Sequence, residues 1–216
     1  MPSPAHPTLS DIRAALRHTL PPPEEHVEGR TAAVAAVLRE NGRQVELLFI
    51  RRARRRGDPW SGHMAWPGGK REACDSSMAA CSIRETREEL GLDLQEHAHL
   101  IGTLPLLRFS GRRPAALRAV FAYVFALHGA QALQPGPEVQ EAVWVPLTYF
   151  GRWSSRRPWR WVARWLPPVP PAYRYQGRLI WGLTQWLLGE LLKRIRDSGS
   201  RAAGDRAEPG DRLPGS

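Results

Sequence analysis

Apolar residues recur along the chain at two spacings, and each spacing predicts one kind of element. Short, mostly apolar runs bounded by turn-forming residues predict β-strands. These runs are residues 31–38, 45–52, 100–107, 118–127 and 139–147. Apolar residues three and four positions apart predict helices. Helices are therefore expected over residues 8–20, 78–90 and about 183–195, with a short strand before the last one. The pattern predicts a sheet that continues on both sides of a central helix.

Turn and cap residues mark the ends of several elements. Asn41-Gly42, between the first two strands, is a strong hairpin signal, so these strands are expected to pair antiparallel. A serine at 76–77 can cap the start of the helix over 78–90, and Gly91 stands where a left-handed residue ends a helix. The central helix is therefore the best defined element of the sequence.

The chain divides into three parts. Residues 1–29 hold a leading helix and a linker, because the prolines at 21–23 end the helical pattern. Residues 30–196 carry the strands and the remaining helices and form the main domain. Residues 197–216 have little apolar content and are expected to be disordered.

Composition limits the class of protein. With 216 residues, 42% of them hydrophobic, the chain can bury one sizeable core. It shows neither a signal-peptide pattern nor a run of about 18 apolar residues, so a soluble protein of the cytoplasm is expected. The two cysteines, Cys74 and Cys81, indicate neither a disulfide framework nor a zinc site.

Three glutamates on the central helix are candidate metal ligands. Glu85, Glu88 and Glu89 stand at positions i, i+3 and i+4 and therefore share one face of the helix. Like charges at this spacing cost roughly 0.2–0.5 kcal/mol per pair, and a bound divalent cation would remove that cost. Carboxylate oxygens suit Mg²⁺ or Mn²⁺ bridging to substrate phosphates. The helix is therefore predicted to serve metal-assisted hydrolysis of a phosphoanhydride.

The residues before this helix favour the same chemistry. Pro67-Gly68-Gly69 forms a turn in which the N–H groups of the glycines can approach a phosphate closely. Arg84 can brace the acidic face through an ion pair with a neighbouring carboxylate. An isolated acidic run is more often a solvated surface. The glycine turn, the flanking strands and the glycine-terminated helix favour a site instead.

The segment GGKREACDSSMAACSIRETREELGL at 68–92 resembles the Nudix box, whose pattern is GX5EX7REUXEEXGU. Its core is matched by Arg84, Glu85, Glu88, Glu89 and Gly91. The resemblance implies a hydrolase of nucleoside-diphosphate-linked pyrophosphate bonds. It also implies an α/β/α sandwich with a mixed β-sheet.

The chain departs from this pattern in the loop before the helix. One extra residue follows Gly69, the first glutamate of the pattern falls on Ser76, and Thr86 replaces an aliphatic residue. Glu72 or Asp75 is expected to stand in for the missing acid.

Two further segments are similar to the coenzyme A pyrophosphatase branch of this family. They are LLFIRR…WSGHMAWPGG at 47–69 and Ile180–Thr184, a Trp-Gly-Leu-Thr segment. The resemblance therefore covers about residues 30–195. It implies cleavage of coenzyme A or its thioesters into 3′,5′-ADP and a 4′-phosphopantetheine product.

Basic residues before the glycine loop are candidate phosphate-binding groups. Arg51 and Arg52 lead this set, because a guanidinium matches a phosphate and the substrate would carry an extra 3′-phosphate. The arginines at 54–56 belong to it as well, although solvated surface is the simpler role for most of the set. His63 is expected to be a hydrogen-bonded structural residue.

The general base is expected outside the box. Glu138 and Glu141 are the candidates, and an exposed acidic residue at a strand border is the simpler alternative for either. With the box residues, Glu88, Arg84 and Glu141 form the predicted catalytic set.

Alternatives of a different class remain open. The net charge of +10 suits nucleic acid, an anionic membrane or a small anionic substrate. The Arg- and Trp-rich segment at 152–171 could bind RNA or membrane, but a flap packed on the core is favoured. ADP-ribose, NADH and nucleoside triphosphates are alternative substrates. The expected partner is a small nucleotide rather than nucleic acid, and a homodimer is left open.

Overall fold

A computed structural model shows how these segments fold. It describes residues 6–19, 29–54, 61–109, 117–151, 156–157 and 172–204. The helices are α1 (Leu9–Leu16), α2 (Met78–Leu90), α3 (Leu94–His97), α4 (Leu147–Phe150) and α5 (Gly182–Gly204). The strands are β1 (Arg30–Asn41), β2 (Gln44–Arg52), β3 (Met64–Ala65), β4 (Gly68–Lys70), β5 (Ala98–Thr103), β6 (Leu107–Arg108), β7 (Leu117–Leu127), β8 (Val139–Pro146), β9 (Arg156–Arg157), β10 (Ala172–Tyr175) and β11 (Arg178–Ile180).

One mixed sheet forms the centre of the domain. β2 pairs antiparallel with β1, β3 and β8, and β4 pairs antiparallel with β1. β1 and β7 run parallel, and β7 pairs antiparallel with β5 and β6. In the described part of the chain, β9, β10 and β11 form a separate antiparallel sheet.

Alternate residues of the central strands face two separate cores. On β2, Leu47 and Phe49 point to one face of the sheet, while Leu48 and Ile50 point to the other. Residues of α1 and α5 complete the first core, and residues of α2 and α3 complete the second. The architecture is an α/β/α sandwich with a mixed sheet, which confirms the predicted fold class.

Several predicted elements differ in detail. Pro105 has no N–H for a ladder hydrogen bond, and the strand expected over 100–107 is divided into β5 and β6. The first helix ends at Leu16 instead of near residue 20. Beyond it, the Oγ1 atom of Thr19 accepts a hydrogen bond from the N–H of Thr103 at 3.1 Å, which ties the departing chain to β5.

The last helix is longer than predicted. α5 continues to Gly204, so residues 197–204 are helical where disorder was expected. This stretch lacks proline and contains Arg201, Ala202 and Ala203, which favour helix, so the helix continues past its apolar stripe. Residues 20–28, most of 152–171 and 205–216 lie outside the described residues. None of the helices in the described ranges is long and apolar enough to cross a membrane.

Candidate active site

α2 begins and ends at residues that suit a helix end. The Oγ atom of Ser77 accepts a hydrogen bond from the N–H of Ala80 at 3.0 Å. Gly91 has a φ of +63°, and its N–H donates to the carbonyl of Arg87 at 2.8 Å. Local capping therefore sets the bounds that the sequence predicted.

The loop before β8 covers the C-terminal end of α2. The N–H of Gln134 donates to the Leu90 carbonyl at 2.7 Å, and the N–H of Gly136 donates to the Glu89 carbonyl at 2.8 Å. A Cβ atom at Gly136 would lie 2.8 Å from the Glu88 carbonyl oxygen, so this approach requires glycine. These bonds satisfy helix-end carbonyls and bring the start of β8 beside the acidic residues.

Glu89 is buried between α2 and the glycine loop, with 6% of its surface exposed. Its Oε2 atom accepts a hydrogen bond from the N–H of Gly68 at 2.9 Å. Burial raises the pKa of Glu89 to about 8, against the opposing effect of the Gly68 N–H. The charge of Glu85 raises this pKa further, and the charge of Arg52 lowers it. Carboxylates perturbed in this way are concentrated at functional sites.

Gly68 and Gly69 allow the glycine loop to lie close to the backbone of β1 and to the carboxylate of Glu85. Gly68 has a φ of +147°, and a Cβ atom there would lie 2.2 Å from the carbonyl oxygen of Ala33 in β1. A Cβ atom at Gly69 would lie 2.3–2.5 Å from the carboxylate atoms of Glu85. The predicted role of the Gly68 N–H in phosphate binding needs correction, because Glu89 accepts that hydrogen bond.

Arg84 connects the acidic residues of the loop and the helix. Its Nε and Nη2 atoms donate to the two carboxylate oxygens of Asp75 at 2.8 and 3.0 Å. Nη2 also donates to Glu85 at 3.0 Å and to the Lys70 carbonyl at 3.1 Å, and Nη1 donates to Glu88 at 3.0 Å. The expectation that Arg84 pairs with a neighbouring carboxylate is confirmed.

Asp75 is the buried partner of Arg84. Its side chain is 3% exposed, and its Oδ2 atom also accepts the N–H of Glu72 at 2.8 Å. The hydrogen-bonded guanidinium of Arg84 outweighs the effect of burial and lowers the pKa of Asp75 to about 2. Of the two acids expected to replace the missing glutamate, Asp75 therefore forms the ion pair, and Glu72 contributes its backbone N–H.

The acidic helix has the ligand chemistry of a hard cation. Glu85, Glu88 and Glu89 offer carboxylate oxygens, the donors that Mg²⁺ and Mn²⁺ prefer. Burial raises the pKa of Glu85 as it does that of Glu89, so the site favours added positive charge. Across the described residues, no three His, Cys, Asp or Glu side chains converge on one point that could hold a metal ion. Glu85 and Glu88 contact Arg84 instead, and a cation would have to replace those contacts.

Glu141 lies apart from the acidic helix. On β8 it alternates with Ala142 and faces the side of Val143, which packs in the α1 and α5 core, whereas α2 covers the other face. Its two carboxylate oxygens accept hydrogen bonds from Nε and Nη2 of Arg178 at 2.8 and 2.6 Å. The Arg178 hydrogen bond lowers the pKa of Glu141. This geometry argues against the predicted role of Glu141 as general base.

The two predicted phosphate-binding arginines act on different sides of the sheet. Arg51 pairs with Glu141 across β2 and β8, with its Nη1 atom 3.4 Å from Oε1. Arg52 follows Leu48 and Ile50 on the α2 side of β2, and its charge lowers the pKa of Glu89. Glu138 lies next to this end of β2, because its carbonyl accepts the N–H of Ala53 at 2.8 Å, and its charge raises the pKa of Glu89.

Arg178 is a contact residue of Glu141 that was not predicted from the sequence. The Gln176-Gly177 turn between two short strands was a signal for the hairpin. Its partner Glu141 is 37 residues away, beyond the reach of local patterns. His63 contacts Trp181 edge-on, with ring centroids 4.7 Å apart.

The domain is an α/β/α sandwich, and its glycine loop leads into a helix that carries three glutamates and Arg84. This combination is typical of one class of protein, the Nudix hydrolase domain. The family model described as NUDIX domain matches residues 29–164. The chain belongs to the Nudix family, which confirms the resemblance seen in the sequence.

Three curated relatives show the range of similarity. Uncharacterized protein C14C4.10c of Schizosaccharomyces pombe is 41% identical over 105 residues, which are 47% of this chain and 32% of that protein. Peroxisomal coenzyme A diphosphatase NUDT7 of Mus musculus is 29% identical over 145 residues, 66% of this chain and 58% of that protein. Uncharacterized Nudix hydrolase NudL of Photorhabdus laumondii is 28% identical over 191 residues, 88% of this chain and 98% of that protein. The chain thus spans 32% and 58% of the first two relatives and nearly all of the third.

Proposed function

We propose that this domain hydrolyses the pyrophosphate bond of a nucleoside-diphosphate compound, with Mg²⁺ or Mn²⁺ held by Glu85, Glu88 and Glu89. The observation that carries the proposal is the acidic helix beside the glycine loop, where burial raises the pKa of Glu89 to about 8. A divalent cation stabilises such a group of carboxylates. When bound, it supplies charge neutralisation for the diphosphate and an activated water.

The residues around the helix have separate roles in this proposal. Arg84, anchored by Asp75, orders the loop against the acidic face of α2. Arg52 offsets the negative charge that the substrate phosphates bring to Glu89. Glu138, the residue before β8, accepts the proton of the attacking water. Its electrostatic effect on Glu89 supports this role for Glu138 in preference to Glu141.

Replacement of the two candidate bases distinguishes them. Glu138→Gln is expected to lower kcat by roughly 10²–10⁴-fold, the usual contribution of a general base. Glu141→Gln is expected to keep kcat within a few-fold, because Glu141 is ion-paired on the other face of the sheet. Steady-state kinetics of both variants provide the check. A larger loss of kcat in Glu141→Gln would restore Glu141 as the base.

Gly69→Ala tests the approach of the glycine loop to α2. The added Cβ atom would lie within 2.5 Å of the Glu85 carboxylate, so that side chain must move. A displacement of about 1 Å in a catalytic group can lower the rate roughly 100-fold. Gly189→Ala in α5 is the matched control, because its Cβ atom meets nothing within 4 Å. Equal kcat values for the two variants would show that this contact has no catalytic role.

For the substrate, we propose coenzyme A or an acyl-coenzyme A, cleaved to 3′,5′-ADP and a 4′-phosphopantetheine product. The segments at 47–69 and 180–184, which resemble the coenzyme A pyrophosphatase branch, support this choice. In the fold, Arg51 and His63 from the first segment and Trp181 from the second line one cavity. The name of the relative NUDT7, a coenzyme A diphosphatase, also supports it.

A substrate screen tests the proposed function. The protein is incubated with Mg²⁺ or Mn²⁺ and with coenzyme A, an acyl-coenzyme A, ADP-ribose, NADH or deoxynucleoside triphosphates, and the products are identified by mass. The value of kcat/KM is expected to be highest for the coenzyme A compounds. Comparable low values on every substrate would overturn the coenzyme A assignment, and no metal-dependent turnover of any would overturn the hydrolase assignment.

The cellular location, the oligomeric state and the polyanion-binding alternative remain predictions from the sequence. We propose a cytoplasmic location and leave a homodimer as a prediction. A polyanion-binding module would show binding that falls steeply with salt and no turnover. The segment on which that alternative depends, 152–171, lies mostly outside the described residues.

A further inference from the structure

A cleft lies between α1 and the edge strand β5. It has a volume of about 540 Å³ and is lined by Arg13, Arg17, His99, Leu100 and Ile101. Sites for small-molecule ligands usually measure about 300–1000 Å³. The cleft is therefore large enough for an organic molecule of moderate size.

This cleft is separate from the acidic helix. His99 pairs with Ala126 of β7, whose neighbours Phe125 and Leu127 pack in the α2 and α3 core, so His99 faces the opposite side of the sheet. In the described sheet β5 is also the last strand on its side, and β7 and β1 lie between it and β4. Three strand spacings of about 4.8 Å place β5 roughly 14 Å from the glycine loop. A ligand in the cleft therefore does not occupy the site of the proposed hydrolysis.

The two walls of the cleft are held together at one end. Gly102, the residue after Ile101, lies so close to α1 that a Cβ atom there would be 2.6 Å from the Cβ atom of Leu16. The N–H of Thr103 donates to Oγ1 of Thr19 at 3.1 Å, and Oγ1 of Thr103 donates to the Thr19 carbonyl at 3.4 Å. The cleft is thus formed before a ligand binds, which lowers the entropy cost of binding.

The α1 wall of the cleft carries two positive charges. Arg13 and Arg17 stand four positions apart and therefore share one face of the helix. Both residues are exposed, and within the described ranges neither guanidinium forms an ion pair. A cation near a helix C-terminus stabilises the helix, but one of the two is enough for that role. Two guanidinium groups on one wall can bind different oxygens of the same anion.

The β5 wall adds an imidazole and apolar groups. His99 lines the cleft, and its ring contacts the ring of His128 edge-on, with centroids 4.0 Å apart. Leu100 is 49% exposed, and Ile101 continues the apolar part of the wall. Ligand sites typically combine apolar walls with a few polar groups that fix the orientation of the ligand. The cleft therefore suits a molecule with an anionic end and an apolar end.

We propose that this cleft binds a small organic phosphate that carries an apolar group. Arg13 and Arg17 bind the phosphate through charge-assisted hydrogen bonds, His99 donates a further one, and Leu100 and Ile101 contact the apolar group. A phosphate is favoured over a carboxylate because its additional oxygen lets both guanidinium groups and the imidazole bind one group. A concave cleft with two walls favours one small molecule over a flat membrane surface. The inference goes beyond the proposed hydrolysis and does not depend on it.

NMR signals of the histidine rings report binding in the cleft itself. The full chain, without divalent metal, is titrated with phenyl phosphate, inorganic phosphate or benzoate, and the His99 signal is assigned from its loss in His99→Gln. Phenyl phosphate should shift the His99 signal in a saturable manner, and benzoate should bind more weakly. Arg13→Gln and Arg17→Gln should each weaken the binding of phenyl phosphate roughly 10- to 100-fold, the effect of losing charge-assisted hydrogen bonds. Arg43→Gln, which removes the same charge from the exposed β1–β2 turn, should match the wild type.

A further variant tests the apolar wall. Leu100→Ala should weaken the binding of phenyl phosphate several-fold and leave that of inorganic phosphate unchanged, because only the phenyl ring contacts Leu100. Both arginine variants should keep the thermal midpoint and the hydrolytic rate of the wild type. An equal effect of Leu100→Ala on both ligands would contradict the assigned orientation.

Three results would overturn the site. They are no saturable shift of His99 with phenyl phosphate, equal affinity in the wild type and both arginine variants, and benzoate binding as tight as that of phenyl phosphate. Flotation with phosphatidylserine vesicles tests the membrane alternative. Vesicle binding that is lost in Arg13→Gln and Arg17→Gln, without a shift of His99 by phenyl phosphate, would assign these arginines to a membrane surface instead.

Discussion

Glu89→Gln is expected to abolish hydrolysis and leave the fold intact. Metal ions stabilise the charge of a phosphoryl transition state by several kcal/mol, so loss of a ligand should lower kcat on the order of 10³-fold or more. The glutamine has nearly the same shape, and its carbonyl oxygen can still accept the N–H of Gly68. Since Glu89 is 6% exposed, replacing a buried carboxylate with a neutral amide should preserve or raise stability.

The matched control for this variant is Glu96→Gln. Glu96 lies in α3 with 74% of its side chain exposed, and it pairs weakly with His97 at 3.7 Å. Rates and thermal midpoints of both variants should be measured with the same metal. Glu96→Gln should retain wild-type kcat. Full activity in Glu89→Gln would remove Glu89 from the metal site.

Asp75→Asn is expected to destabilise the domain by about 2 kcal/mol. Removing one partner from a buried ion pair usually costs roughly 3–5 kcal/mol. The loss should be smaller here, because Arg84 keeps Glu85 and Glu88 as partners. A domain of this size should lose roughly 4–8 °C in its unfolding midpoint. Freed from Asp75, Arg84 should also compete more strongly with a cation for Glu85 and Glu88 and raise the metal concentration needed for activity.

The pH dependence of the stability lost in Asp75→Asn shows whether the ion pair with Arg84 is its cause. The pKa of Asp75 is about 2 in the folded protein and 3.8 in its ordinary state. A carboxylate with a lowered folded pKa stabilises the protein above its unfolded pKa, and the stabilisation is lost as pH falls through the folded value. The shift corresponds to about 2 kcal/mol. The difference in unfolding free energy between wild type and Asp75→Asn should therefore shrink between about pH 4 and pH 2. A difference independent of pH would mean that packing, rather than the ion pair, is responsible.

Local signals in the sequence were sufficient to predict the bounds of α2 and the shared face of its acidic residues. Ser77 and Gly91 set the ends of the helix through bonds that span only three or four residues. Arg84 was predicted as a brace for the same reason, since Glu85 and Glu88 are its neighbours on the helix. The choice between Glu72 and Asp75 needed the loop conformation, in which Asp75 turns back to Arg84.

Pairings between distant segments could not be predicted from local patterns in the sequence. The parallel contact of β1 with β7 joins residues 87 or 88 positions apart, and no local pattern encodes it. The same limit explains Glu141. Its alternation along β8 places it on the opposite face from α2, but that face becomes known only when Arg51 and Arg178 are seen beside it. The difference between Arg51 and Arg52 also follows from strand alternation and from which helix covers each face.

The dependence of coenzyme A turnover on divalent metal tests the central claim most directly. The wild type and Glu85→Gln are freed of metal by chelation, and turnover is then followed during titration with Mg²⁺ or Mn²⁺. We predict no turnover without metal, a saturable rise in the wild type that yields 3′,5′-ADP, and a rise in Glu85→Gln that needs far more metal. Equal turnover by the wild type with and without the chelator would contradict the account.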